Sequence, residues 1–307
     1  MDTADSFTNN DDDEHNKNTR TEREKKKNTV FTLINTNARL LCPKINSLID
    51  CMEELDASAA VVTEPWLADG QHLNDDSQDL FLGAGLSMIC RNRPRNPATG
   101  VAHGGVAIIY KEEDVKYKEI SFPNPESFEI LVAAGSIQGH IRQILTIACY
   151  MPPNYTVDRA NKCLDYVYDV IIEFKRRYKN PYITVCGDFN QWEIEKALEE
   201  FRDLVEAPVG PKRGLRTIDR MFTNLESITE CATLAPLQTD GDDGWIRESD
   251  HRIVYLTSNL PRKEKYKWLS YSYRYNNVES AKEFGDRIGV RCCVRWGVRR
   301  RRQYIRE

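Results

Sequence analysis

The sequence predicts an α/β (α+β) domain in which two sheets are covered by helices. Three observations carry that expectation. Apolar, β-branched runs of strand length recur between Val30 and Leu256, and two longer segments instead repeat their apolar residues at helical spacing. Strand, helix and strand also alternate, with hairpin stretches between them. With 307 residues and 40% hydrophobic content, the chain can bury a sizeable core.

The elements follow in order. Residues 1–28 are rich in Asn, Asp, Glu and Lys and nearly devoid of large apolar groups. They are expected to form a disordered polar tail, because they bury too little to offset the entropy of ordering. The domain itself is expected over residues 29–258. Val30 to Ile34 reads as a strand leading to Asn37, and Pro43 opens a helix with Ile45, Leu48, Ile49, Met52 and Leu55 on one face. Ala59 to Thr63 is a second strand, ending before Glu64. The runs Gly104 to Tyr110 and Gln143 to Tyr150 read as further buried strands. Asp158 to Tyr178 is a second helix, with Cys163, Leu164, Val167, Ile171 and Phe174 inward and Lys175-Arg-Arg177 at its negative end. Pro181 to Gly187 is another apolar strand, punctuated by glycine, and Ile253 to Leu256 is the last apolar run. Residues 259–307 become Lys/Arg/Tyr-rich and end in Arg291-Cys-Cys-Val-Arg-Trp-Gly-Val-Arg-Arg-Arg-Arg302, expected as a basic linker or tail.

Composition narrows the class. Nine cysteines, an odd number, lie without Cys-x-x-Cys or Cys/His zinc spacing, so neither a disulfide framework nor a zinc site is expected. No apolar leader and no bilayer-length run is present, so an intracellular protein with no membrane contact is expected. Arg23 and Lys25 to Lys27 fit either a solvated run or a nuclear-import signal. The net charge of −4 does not argue against nucleic acid, since the charge of the binding face is what matters.

The chemistry lies at the strand ends. Asn37, Glu64, Asp188, Asn190, Asp219 and the pair Asp250-His251 each sit where an extended segment should stop. A phosphodiester resists water because it is anionic, so its hydrolysis requires charge neutralisation, an activated water and a stabilised leaving oxygen. Glu64, Asp188 and Asp250 supply the oxygen ligands that a hard cation such as Mg2+ prefers. His251 could serve as acid, base or phosphate clamp, with Asp219 on its other ring nitrogen fixing the tautomer. Taken singly, each piece has an ordinary structural reading: Gly187-Asp188 as a turn, Glu64 as a solvated strand end, Tyr150 as packing beside Pro152-Pro153.

In order, Thr36-Asn-Ala-Arg39, Thr63-Glu-Pro-Trp66, Gly104-Gly-Val-Ala107, Tyr150-Met-Pro-Pro153, Gly187-Asp-Phe-Asn190, Ile218-Asp219 and Ser249-Asp-His251 resemble the endonuclease/exonuclease/phosphatase superfamily. Their wording is most similar to the apurinic-type endonuclease domain of non-LTR (LINE-like) retrotransposons. The resemblance spans residues 30–258 and implies a four-layer α/β/β/α sandwich and a Mg2+-dependent (or Mn2+-dependent) endonuclease that nicks one DNA strand and leaves a 3′-hydroxyl.

Position by position, the resemblance implies Glu64 as principal metal ligand, with Asn37 beside it and Asp250 in or around the metal shell. It makes Asp188 the group that handles the attacking water, next to Asn190, with Asp219 and His251 as the dyad at the phosphate and Tyr150 donating to a phosphate oxygen. Arg39 and the loop cations Lys212, Arg213 and Arg216 are candidate DNA contacts, as is the run Arg91 to Arg95. A reverse transcriptase follows such endonucleases in retrotransposon proteins, and no Tyr-x-Asp-Asp motif occurs here. Two rival readings stay open: a phosphoesterase of the same superfamily acting on a nucleotide or lipid phosphate, and a noncatalytic nucleic-acid-binding remnant.

Overall fold

The computed structural model describes residues 28–67, 75–93, 98, 103–124, 126–195, 198–205, 217–239 and 249–261, together with two short strands, 266–269 and 303–306. The first compact unit ends at Arg262. It contains two six-stranded sheets. The first has the order β11-β12-β1-β2-β4-β3, from β1 (Asn28–Asn37), β2 (Ala59–Thr63), β3 (Leu86–Arg91), β4 (Val106–Lys111), β11 (Ile228–Leu234) and β12 (Ile253–Pro261). The second has the order β5-β6-β7-β8-β10-β9, from β5 (Val115–Glu119), β6 (Glu129–Ile137), β7 (Gln143–Tyr150), β8 (Tyr182–Asp188), β9 (Arg202–Asp203) and β10 (Asp219–Thr223). In the second unit, Tyr266–Leu269 and Gln303–Arg306 pair antiparallel.

The two sheets share a plan. Each has one parallel pair joined through a helix: β1 and β2 through α1 (Ile45–Glu54), β7 and β8 through α3 (Val157–Arg177). A shorter helix, α2 (Asp75–Gly83), precedes β3. A parallel pair needs such a crossover, whereas antiparallel neighbours need only hairpins.

Alternation along the strands sorts the side chains into layers. Phe31, Leu33, Val61 and Ile108 of the first sheet meet Leu131, Ile144, Ala148, Cys186 and Met221 of the second in one buried apolar cluster. Ile34, Ala60, Val62 and Ile109 point the other way, onto Ile45, Leu48 and Met52 of α1. Leu145, Ile147, Ile183 and Val185 pack on Cys163, Val167, Ile171 and Phe174 of α3. Helix, sheet, sheet and helix are thus stacked as four layers, the sandwich expected from the resemblance.

The differences from the sequence reading are local. Cys42–Lys44 is a 3-10 turn with Pro43 at its start, so α1 begins at Ile45 and Leu55 caps it. α3 begins at Val157 because the Thr156 hydroxyl accepts from the Arg159 N–H. β8 runs through Gly187 to Asp188, so Asp188 closes a strand instead of sitting in a turn. β3, β5, β6, β9, β10, β11 and α2 are additional to the elements expected. β12 continues to Pro261, past the expected boundary at 258. Asn28, expected in the polar tail 1–28, instead opens β1 by pairing with Pro261. The rest of that tail, the loop cations Lys212, Arg213 and Arg216, and the basic run 291–302 lie outside the described residues.

Candidate active site

The candidate residues gather at one edge of the sandwich because of strand direction. Asn37 is the last residue of β1, Glu64 follows β2, and Tyr150 and Asp188 end β7 and β8. Asp219 opens β10 and His251 precedes β12, and both of those strands run antiparallel to the central ones. Starts and ends therefore coincide in space. The register makes Asp188 the direct neighbour of both Tyr150 and Asp219.

Gly187 lets this happen. Its φ is +151°, and an added Cβ would lie 1.8 Å from the carbonyl oxygen of Cys149, a contact no side chain can make. Only glycine permits β8 to approach β7 this closely one residue before Asp188. The Asn35 amide also donates from β1 to the Gly187 carbonyl at 3.4 Å, tying the sheets together beneath the site.

Asn37 links the carboxylates. Its Nδ2 donates to Asp188 Oδ2 at 2.9 Å and to Glu64 Oε1 at 3.1 Å, while its Oδ1 accepts from the Arg39 N–H at 3.0 Å. The other oxygen of Glu64 accepts from Trp66 Nε1 at 2.9 Å. Glu64 and Trp66 both carry left-handed backbones (φ 50° and 54°), and their N–H groups donate to the carbonyls of Gly105 and Gly104. Non-glycine residues seldom adopt this conformation, and it concentrates at functional sites. Here it turns the strand end so that the Glu64 carboxylate faces Asn37.

Asp188 is buried and crowded. Its Oδ1 accepts from the Asn190 N–H at 2.9 Å, as the resemblance implied, and the Asn190 side chain donates to the Met151 carbonyl at 3.0 Å. Burial, then the neighbouring charge of Asp219, pushes the Asp188 carboxyl up to about 7 in spite of His251 and these hydrogen bonds. His251 Nδ1 lies 2.6 Å from Asp219 Oδ2. Burial opposes the charged imidazole, but Asp219, then Asp188 and Asp250, raise it to about 9. Burial raises the Asp219 carboxyl, against the pull of His251.

Tyr150 is held protonated by burial and by the charge of Glu64, to which its hydroxyl hydrogen-bonds. Asp250 is partly exposed: Oδ2 lies 2.7 Å from Arg39 Nη1, while Oδ1 is buried without a hydrogen-bond partner, 4.0 Å from His251 Nε2. Arg39 thus engages a member of the site and is itself half exposed. Arg91 and Arg93 are ion-paired with Glu119 and Glu129. Arg91 belongs to β3, so the described cations of this run are not free loop charges; Arg95 lies outside the described residues.

A divalent cation fits these residues. The ligand atoms of Asp188, Asp219 and His251 all lie within 4.8 Å of one another, and Asp219 Oδ1 is buried without a hydrogen-bond partner. A cluster of buried carboxylates with a vacant lone pair is the donor chemistry of a hard cation. The expected ligands Asn37 and Glu64 adjoin this cluster through Asn37, and Asp250 adjoins it through His251.

Three contributors escaped the sequence reading. The Trp66 indole was part of a quoted motif, yet only the structure shows it holding Glu64. The Ser249 hydroxyl donates to the Asn37 carbonyl at 2.6 Å and accepts from the His251 N–H at 3.3 Å, joining β1 to the His251 turn. Glu129, opposite Tyr150 in the ladder, accepts from the Gly105 N–H at 2.6 Å and from Arg93, fixing the loop that binds Glu64. No motif marks Glu129; strand register alone reveals it.

No protein-family model matches the chain, and no curated protein sequence matches it. Solved structures do. An endonuclease/exonuclease/phosphatase family protein of Bacteroides thetaiotaomicron superposes with a TM-score of 0.57 at 13% identity, covering 77% of this chain and 100% of that one. ANGEL2, a 2′,3′-cyclic phosphatase in complex with adenosine-2′,3′-vanadate, gives 0.56 at 12% identity over 76% and 96%. A humanized D. rerio TDP2 gives 0.53 at 14% over 75% and 99%. In fold, then, this chain is an endonuclease/exonuclease/phosphatase-type α/β sandwich.

Proposed function

We propose that the protein is a Mg2+-dependent DNA endonuclease that hydrolyses one phosphodiester per strand break and leaves a 3′-hydroxyl. The observation that carries the reading is the buried Asp219–His251 pair beside Asp188, with Asn37 joining that group to Glu64. The motif wording from Thr36 to His251 supports DNA as the substrate and supports the kinship with non-LTR retrotransposon endonucleases.

The residues divide the work as follows. Asp188, poised near neutrality, accepts a proton from the attacking water, and the Asn190 N–H and Asn37 amide aim its carboxylate. His251, charged at neutral pH and anchored through Nδ1, presents Nε2–H to a nonbridging phosphate oxygen, where negative charge grows in the transition state. Tyr150 donates its hydroxyl proton to a second phosphate oxygen. Glu64, with Asp250 nearby, would hold the cation, with the Asn37 amide, expected as a ligand, instead bracing the Glu64 carboxylate through Nδ2; the cation when bound would neutralise the phosphate and the departing 3′ oxygen. A bond forms from the water oxygen to phosphorus as the P–O3′ bond breaks, and the 3′ oxygen takes a proton from solvent water, giving a 3′-hydroxyl and a 5′-phosphate. Arg39, at the rim, and Lys212, Arg213 and Arg216 would contact the DNA backbone. An intracellular, nuclear site of action goes with this reading. Among the described residues, no helix is long and apolar enough to cross a membrane.

Supercoiled-plasmid nicking tests the proposal, run with Mg2+, with EDTA and with a folded Asp188→Asn variant. Relaxation that needs the metal and is lost in the variant is the expected result; a well-folded protein that never nicks would remove the nuclease reading. The second reading, hydrolysis of a small nucleotide phosphoester, draws support from the fold shared with the cyclic phosphatase ANGEL2. Turnover of nucleoside 2′,3′-cyclic phosphates without plasmid nicking would favour it.

A further inference from the structure

Lys44 is a buried cation that, among the described residues, forms no salt bridge with a carboxylate, Asp250 acting on it only from a distance. It is 5% exposed, at the end of the 3-10 turn before α1. Its Nζ donates to three consecutive main-chain carbonyls: Ala38 at 2.7 Å, Arg39 at 2.9 Å and Leu40 at 3.4 Å. Burying an ammonium group is costly unless its three hydrogens are all used. Here each has an acceptor.

The loop it holds needs holding. Arg39 and Leu40 have φ of 44° and 81°, and for a bulky residue such as Leu40 this is a strained conformation. The N–H groups of the segment turn outward, those of Ala38, Leu40 and Leu41 donating to the carbonyls of Thr63, Glu64 and Pro65. The carbonyls of residues 38 to 40 therefore converge on the Lys44 ammonium, the bond to Ala38 buried and those to Arg39 and Leu40 partly so. Without a cation at that point, three converging acceptors would lose their shared donor.

The remaining N–H, that of Arg39, donates to Asn37 Oδ1. This bond decides which way the Asn37 amide faces, and so places Nδ2 between Glu64 and Asp188. A continuous set of contacts runs from Lys44 through the strained loop to the one side chain that bonds both carboxylates.

We propose that Lys44 is a positioning residue for the catalytic centre: by gathering the carbonyls of Ala38, Arg39 and Leu40 it fixes the Arg39 N–H that orients Asn37. The inference rests on the nuclease reading for its kinetic consequences, but its structural claim can be read without activity.

The test is a double-mutant cycle on plasmid nicking with Lys44→Met, Asn37→Ala and the pair, scored only for proteins with native circular dichroism. Because Lys44 acts through Asn37, Lys44→Met should lower kcat about tenfold to a hundredfold with KM nearly unchanged, and should cost little further in the Asn37→Ala background. Multiplying losses would overturn the proposal, as would a folded Lys44→Met enzyme with wild-type kcat. Lys44→Gln, which keeps two donors, replaces Lys44→Met in the cycle if the latter does not fold. In parallel, the Asn37 side-chain amide resonance of 15N-labelled protein should shift in the Lys44 variant; an unmoved resonance would also overturn the proposal. If the wild type nicks nothing, the nuclease reading fails and this resonance alone decides the role of Lys44.

Discussion

Asp219 Oδ2 lies 2.6 Å from His251 Nδ1, so the ring nitrogen left to face the site is Nε2. The pair joins two sheets, since Asp219 opens β10 of one and His251 precedes β12 of the other. It sets both the orientation and the charge of the imidazole.

Replacing Asp219 by Asn should therefore return the His251 pKa from about 9 toward or below its ordinary value of 6.5, because burial would then act with less opposition. Histidine NMR titration measures this directly. Nicking at neutral pH should fall about a hundredfold or more, as for loss of a positioned acid–base group. A His251 that still titrated near 9 would assign its raised pKa to other neighbours.

Stability of the metal-free protein should decline as pH rises. Asp188 has its folded pKa raised from 3.8 to about 7, so its carboxyl is tolerated without penalty below 3.8 and opposes folding as pH rises through 7. His251 is raised from 6.5 to about 9, so its contribution is complete below 6.5 and lost as pH rises through 9. Thermal melts in EDTA should give a higher Tm at pH 6 than at pH 9. Added Mg2+ should recover more at pH 8 than at pH 6, since cation ligands must be deprotonated.

Two glycines should respond oppositely to alanine. Gly187→Ala forces a Cβ into the Cys149 carbonyl and is expected to cost more than about 3 kcal/mol or to abolish soluble expression. Gly83, at the end of α2, has nothing within 4 Å of its added Cβ, and alanine there should be neutral or stabilising by up to about 1 kcal/mol. Urea unfolding of the two variants distinguishes these outcomes.

Trp66→Phe keeps the ring that meets His103 edge-on but removes the N–H on Glu64. Under the proposed metal role of Glu64, calorimetric Mn2+ affinity should weaken about tenfold, with Tm changed by only a few degrees. Unchanged affinity would detach the indole from metal binding.

Much of this architecture is legible in the sequence where the signal is local. Gln143 to Tyr150 is a continuous apolar run because the strand is covered on both faces, and its bounds were read correctly. The inward face of α3 follows directly from its apolar spacing. β3 was invisible because its residues are mostly half-buried and carry no alternation. Gly187 read as punctuation, since a requirement set by Cys149, 38 positions away, leaves no local mark. The site was legible as a set of polar residues beside strands, although Asp219, Asp250 and His251 open or precede strands where the sequence suggests they close them. The hydrogen bonds of Asn37 were not legible, since they depend on how two sheets stack. Residues that serve a neighbour through the main chain, such as Lys44 and Glu129, have no motif of their own.

The placement of β12 between β1 and β11 has a consequence for biosynthesis. A ribosome that has delivered the chain through β10 has already made Asn37, Glu64, Tyr150, Asp188 and Asp219, yet the edge of β1 is still bare and His251 is missing. Under the proposed nuclease reading, a nascent chain would lack a complete site until its β12 segment had been made and had docked against β1.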